Sequence, residues 1–154
     1  MRRIRKIEER DIPSMLKIWN EHYTLLTTSK KKHTLSSLQL WYRERAEGHH
    51  EYYGLFEEGT MKAFMIVKCE ENPLWIKMLA VEKTKIGKGY GTALLDFAIK
   101  ALSSSHMSLF SEVKAENTSA LNFFQKKEFE IQAFDSNTAE YTLRYTHPFT
   151  KHHD

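Results

Sequence analysis

Between Lys85 and Leu95 the chain reads KIGKGYGTALL, and Gly87, Gly89 and Gly91, three of only six glycines in 154 residues, sit at alternate positions before a run of good helix formers. Glycine loses more backbone freedom on folding than any other residue. A cluster of this kind therefore marks a turn that no side chain fits, or a bound group that needs bare backbone. The flanks restrict the choice further. LWIKMLAVE, from Leu74, has the apolar character of a buried strand, and from about Gly89 to Leu102 a helical stripe runs through Leu94, Leu95, Ala98, Ile99 and Leu102. Strand, glycine turn and helix N-terminus together suit phosphate, because free N–H groups and the positive end of the helix dipole converge there. The P-loop pattern, with its Gly-Lys-Ser/Thr, is not matched. The dinucleotide fingerprint Gly-x-Gly-x-x-Gly differs in spacing and belongs after a first strand, whereas this loop lies deep in the chain.

A chain of this length suits one domain, read as residues 1–147 with a C-terminal tail, 148–154. Apolar residues make up 41% and charged residues 28%, the ordinary balance of a globular protein. No apolar run is long enough to span a membrane. MRRIRKIEERDI lacks the apolar core of a signal peptide, and a single cysteine, Cys69, excludes an internal disulfide or a cysteine metal cluster. A cytoplasmic protein is expected. The net charge of +3 is too small to imply nucleic acid unless it is concentrated on one face. Its two basic clusters, Arg2 to Arg10 and SKKKH from Ser29 to His33, read as solvated surface, with a basic lip at Lys30, Lys31 and Lys32 as the functional alternative. His49, His50, His147, His152 and His153 match no zinc spacing, and no metal is assigned.

Along the chain, Ile4 and Ile7 mark a first strand ending near Glu8. Asp11 is placed to cap a helix with Pro13 in its first turn and a stripe of Met15, Leu16, Ile18, Trp19 and Tyr23. A second helix follows Thr34, with Leu35, Leu38, Leu40 or Trp41, and Tyr42 on one side and Gly48 at its end. A hairpin turning at Glu58-Gly59 comes next, and then the strand before the glycine loop. MSLFSEVKA reads as a strand, NTSALNFFQKKEF as a helix capped by Asn117, and EYTLRYT as a closing strand. The order β-α-α-β-β-β-α-β-α-β-β predicts a single α/β domain, a mixed central sheet flanked by helices on both faces.

LAVEKTKIGKGYGTALL resembles the acyl-CoA-binding motif of the GCN5-related N-acetyltransferase (GNAT) superfamily: a strand ending Leu-Ala-Val, then Arg/Gln-x-x-Gly-x-Gly and a helix. Gly89 and Gly91 fall on the motif's two glycines, Gly87 on a position often glycine, and Thr92 on the small polar residue that follows. SEVKAENTSALNFFQKKEF resembles the next strand-helix unit of that family through Glu112, Val113, Asn117, Ala120 and Phe129. The resemblance implies a GNAT-like fold over nearly the whole chain, acetyl-CoA as co-substrate and an amine acceptor. Nucleic acid and membrane are not implied as partners, and a homodimer is one option. It implies that the loop amides hold the CoA pyrophosphate, with Lys85, Lys88 and Tyr90 beside them. Leu79, Ala80 and Val81 would pair with the pantetheine arm as an added strand would. A side chain at Gly89 or Gly91 would then fill the phosphate's place. The family's Arg or Gln falls on Ile86, and Lys85 and Lys88 flank it.

Glu112 lies where one branch of the family has its general base, and an outward glutamate paired to Lys77 or Lys114 is the plain alternative. Glu51 is the second choice as base. Asn117 would cap its helix in any fold; the resemblance adds a hydrogen bond to pantetheine or substrate. Phe124 stands where the family commonly has a tyrosine that protonates the departing thiolate, so the ring is kept and the proton lost. Tyr90, Tyr141, Tyr145 or water remain as substitutes. Glu128, at a common glycine position, suggests a different helix ending.

Overall fold

Successive side chains of a strand point to opposite faces, and here each face finds its own pair of helices. The computed structural model describes residues 1–26, 30–69, 73–103 and 108–147. The tail 148–154 with His152 and His153, together with Ser29, Glu70 to Asn72 and Met107 at the ends of expected elements, lies outside the described residues. The strands are β1 (Arg2–Lys6), β2 (His50–Glu57), β3 (Thr60–Cys69), β4 (Leu74–Val81), β5 (Leu109–Lys114), β6 (Glu130–Asp135) and β7 (Glu140–Tyr145). They form one sheet in the order β1-β2-β3-β4-β5-β7-β6. Every neighbouring pair is antiparallel except β4 and β5, which run parallel.

On one face, α1 (Ile12–Glu21) and α3 (Leu35–Ala46) cover Phe64 and Ile66 with Ile12, Met15, Ile18, Trp19 and Leu38. On the other, α4 (Tyr90–Phe97) and α5 (Thr118–Lys126) cover Ala63, Met65 and Val67 with Leu94, Leu95 and Phe124. The expected mixed sheet with helices on both faces is present.

Several boundaries differ from the sequence reading, each for a local reason. The first strand stops at Lys6, and Glu8, still extended, caps a short 3₁₀ segment, Glu9–Asp11. Tyr23 opens a separate short helix, α2 (Tyr23–Leu26), and is not buried. Trp41 packs edge-on against Trp19 at 5.0 Å, which leaves Leu40 58% and Leu35 42% exposed. The glycine-loop helix changes character after Phe97: Ala98–Leu102 is a π turn, closed by the Ser103 N–H on the Ala98 carbonyl at 3.0 Å. Glu128 does not give α5 a different ending. It adopts φ +70°, the left-handed conformation natural to glycine, while the Phe129 N–H returns to the Phe124 carbonyl at 3.0 Å. Burial of Phe129 against Phe124 (rings 5.0 Å apart) offsets a conformational cost of about 1 kcal/mol.

Asp11 precedes α1 as expected but makes no side-chain cap bond. Its carboxylate instead receives a fork of two bonds from the Arg5 guanidinium (2.7 and 3.0 Å) and the Glu8 N–H at 2.8 Å. The Arg5 hydrogen bond holds the Asp11 carboxyl below its ordinary range, against the opposing effect of burial. A depressed folded-state pKa means stability that is full above the unfolded value of about 3.9 and lost as pH falls through the lower folded one. Asp11→Asn should cost about 1–3 kcal/mol near neutrality and converge with wild type in acid. Urea unfolding at stepped pH measures this; curves separated equally at every pH would assign the loss to packing.

Candidate active site

The site begins where two strands stop pairing. Parallel β4 and β5 are in register only at Leu74–Leu109, Trp75–Phe110 and Ile76–Ser111. The Ser111 hydroxyl donates to the Ile76 carbonyl at 3.2 Å at that junction. Beyond it β4 stays with β3 as far as Val81, β5 stays with β7 as far as Lys114, and the two strands part. The Glu82 N–H donates to Lys62 at 2.8 Å on the β3 side, so strand alternation turns the amides and carbonyls of Leu79 and Val81 toward the gap. His22, just after α1, reaches across with Nε2 to bond the Val81 carbonyl at 2.8 Å. An open strand edge inside a fold is a template for an extended ligand carrying amides of its own.

The glycine loop lies at the end of that edge. Gly87 and Gly89 adopt φ +83° and +86°, which side-chain-bearing residues rarely do, and Gly89 is the N-cap of α4. Gly91 has no such conformation; a Cβ there would sit at ordinary contact distance from the Phe123 ring (3.5 Å) and Val81 (3.6 Å). A Cβ on Gly89 would point to Arg2, 3.7 Å away. Gly87 and Gly89 are thus demanded by backbone conformation, whereas neither conformation nor contact demands glycine at Gly91; Gly87, Gly89 and Gly91 all border the cavity described next.

Loop, strand edge, α2 and the start of α5 surround a cavity of about 640 Å³. Leu79, Ala80, Val81, Lys85, Gly87, Gly89, Tyr90, Gly91, Thr92, Asn117 and Phe124 all border it; of the expected donor-side residues only Lys88 does not. The Lys88 carbonyl is turned outward to Arg2. Asn117 caps α5 by accepting the Ala120 N–H at 3.2 Å. It also borders, with Phe124, a second cavity of about 90 Å³ that contains Glu112, Lys77 and Lys114. The two cavities share Leu79, Asn117 and Phe124, so they meet where β4 and β5 diverge. Glu112 is exposed and ion-paired to Lys77 at 3.6 Å, the pairing that the plain reading of this residue foresaw.

A model of the acetyltransferase (GNAT) family matches residues 12–129. The chain belongs to the GNAT family. Solved structures agree in fold. The PaiA N-acetyltransferase of Thermoplasma acidophilum, in complex with coenzyme A, superposes with a TM-score of 0.76 at 18% identity, over 96% of this chain and 99% of that one. An acetyltransferase of Thermus thermophilus gives 0.77 at 17%, over 94% and 96%. The ribosomal-protein-S18-alanine N-acetyltransferase of Escherichia coli gives 0.70 at 19%, over 94% and 91%. No curated protein matches the sequence.

Within this GNAT fold the remaining candidates separate clearly. Glu51 borders neither cavity; it accepts the Tyr53 hydroxyl at 2.8 Å and pairs with Lys6 at 3.6 Å. Burial, with Glu51 beside it, pushes the Cys69 thiol up to about 11, so it stays a thiol at neutral pH. Tyr145 packs between Phe129 and His147, Tyr141 against Phe134, and neither borders either of these two cavities. Tyr90 does, but its hydroxyl is held by Glu57 at 2.7 Å. Among the basic residues, Arg10 pairs with Glu8, Arg43 with Glu9 and Lys30 with Glu116. Among the described residues no three metal-ligating side chains gather, and no helix is long and apolar enough to cross a membrane. Sequence reasoning missed His22, Leu25, Leu26 and Arg2. His22 lies 59 residues from its partner, and no local pattern signals such a pairing.

Proposed function

We propose that the protein is an acetyl-CoA-dependent N-acetyltransferase acting on a primary amine by direct attack. The observation that carries it is the parting of β4 and β5, with a glycine-loop cavity at one end and a carboxylate beyond the vertex. The gap-facing amides of Leu79 and Val81 suit a pantetheine arm, and the N–H groups at Gly87, Gly89 and the start of α4 suit a pyrophosphate. When bound there, acetyl-CoA supplies an acyl group activated as a thioester.

The chain's own task is proton management. An aliphatic amine has a pKa of about 10.4 and arrives protonated. Glu112 is assigned as the base that removes this proton, directly or through water, and the ion pair with Lys77 orients its carboxylate. Phe124 cannot protonate the departing sulfur, but a thiol of pKa about 8.5 leaves as thiolate with little help. Asn117, at the junction of the cavities, is placed to orient the ligand as well as its own helix. The proposal uses no metal and fits a cytoplasmic protein; the acceptor is a small molecule or a protein amine.

A second reading, an acyl-CoA sensor of the same fold, draws on Phe124 and on the engagement of the Tyr90 hydroxyl by Glu57. A thiol-release assay with acetyl-CoA across an amine panel separates them, run on wild type and Phe124→Tyr. Turnover by wild type is expected, with unchanged CoA binding and a modestly higher kcat in the variant. Binding without turnover in both proteins would overturn the enzyme in favour of the sensor.

A further inference from the structure

The outer side of the glycine loop is tied to the first strand by one residue. Arg2 donates from Nη2 to the Lys88 carbonyl at 2.9 Å, from a position 86 residues earlier in the chain. Its guanidinium also pairs through Nε with Glu57 at 3.3 Å and lies 4.0 Å from the centre of the Tyr90 ring. Glu57 in turn accepts the Tyr90 hydroxyl at 2.7 Å. Arg2, Glu57 and Tyr90 therefore form a closed set, with Tyr90 the first residue of α4 and Arg2 directly beneath Gly89.

The consequence follows from the planarity of the peptide bond. A carbonyl and the next N–H point in opposite directions, so fixing the Lys88 carbonyl outward on Arg2 turns the Gly89 N–H away from Arg2. Gly89, at positive φ on one side of this peptide, gives it rotational freedom, and the Arg2 bond fixes its carbonyl.

We infer that Arg2 is a positioning residue for the donor site, holding the Lys88–Gly89 peptide in the orientation that presents its N–H to a pyrophosphate and so selecting nucleotide-bearing donors over bare pantetheine. This rests on the reading of the cavity as a CoA site. Arg2 acts through the loop and touches no reacting atom.

The test compares Arg2→Met, whose unbranched stem keeps the cover over Tyr90, and Arg2→Lys with wild type. Dissociation constants for CoA come from calorimetry and those for pantetheine, which lacks the pyrophosphate, from amide chemical-shift titration. The expected result for Arg2→Met is CoA binding weakened about ten- to a hundredfold, the size of one hydrogen bond to a charged group, with pantetheine binding unchanged. The Gly89 amide resonance, shifted by CoA in wild type, should shift less in Arg2→Met. Arg2→Lys should fall between the two, restoring charge without the fork. Unchanged CoA affinity in a folded Arg2→Met protein overturns the inference and leaves the CoA site standing. Equal weakening of CoA and pantetheine also overturns it, by pointing to general disturbance. Failure of wild type to bind CoA overturns the donor-site reading and this inference with it.

Discussion

Gly89→Val is expected to weaken CoA binding by roughly a hundredfold or more while the protein stays folded. At φ +86° a β-branched residue is strained by about 1–3 kcal/mol. The loop is free to relieve that strain, because Gly87 has open space around it and Gly89 meets only the Arg2 side chain. Relief means rotating the flanking peptides, which turns N–H groups away from the cavity and moves the first turn of α4. A phosphate group that loses two or three charge-assisted bonds loses about 1.5–3 kcal/mol with each. Gly91→Ala is the informative companion. Its added methyl would sit at ordinary contact distance from Phe123 and Val81 in a backbone that any residue adopts, so CoA affinity should stay within about threefold. Calorimetry on both variants decides: a folded Gly89→Val protein that binds CoA as wild type does would remove the phosphate-cradle reading.

Glu112→Gln is expected to lower kcat/KM for a true acceptor by roughly ten- to a thousandfold at neutral pH, the scale of general-base catalysis. The amide has nearly the shape of the carboxylate and still accepts a bond from Lys77, so CoA affinity and stability should barely move. The ion pair it removes is exposed and contributes little by itself. Raising the pH supplies free amine without help from the protein, so the deficit should shrink as the pH approaches about 10. A pH–rate profile matching that of wild type would transfer the proton to water or another group. Glu51 is a poor successor, since Tyr53 and Lys6 hold it outside both cavities.

Much of this molecule follows from local rules that a linear chain displays. Period-two and helical spacing place β4 at Leu74–Val81 and α5 after its Asn117 cap, because side-chain direction along a strand or helix is a matter of spacing alone. The glycine loop was legible for the same reason: left-handed φ at Gly87 and Gly89 is a demand on single residues. Where local preference met a stronger distant contact, the distant contact decided. Trp41 rather than Leu40 faces the core because Trp19 lies opposite it, and Glu128 accepts a left-handed backbone so that Phe129 can be buried.

The candidate site divides along the same line. The residues that the linear pattern picked out as a donor side fall in a few short stretches of chain, and all but Lys88 border the cavity. The shape of the site was not legible in that pattern. That β4 and β5 pair at three positions and then part depends on how β3 and β7 hold each strand from its other side. The reach of His22 to Val81 and of Arg2 to Lys88 depends on chain segments 59 and 86 residues apart being packed against one sheet. No spacing rule extends that far, because such contacts are set by the summed packing of two cores and by register, and these exist only once the chain has folded.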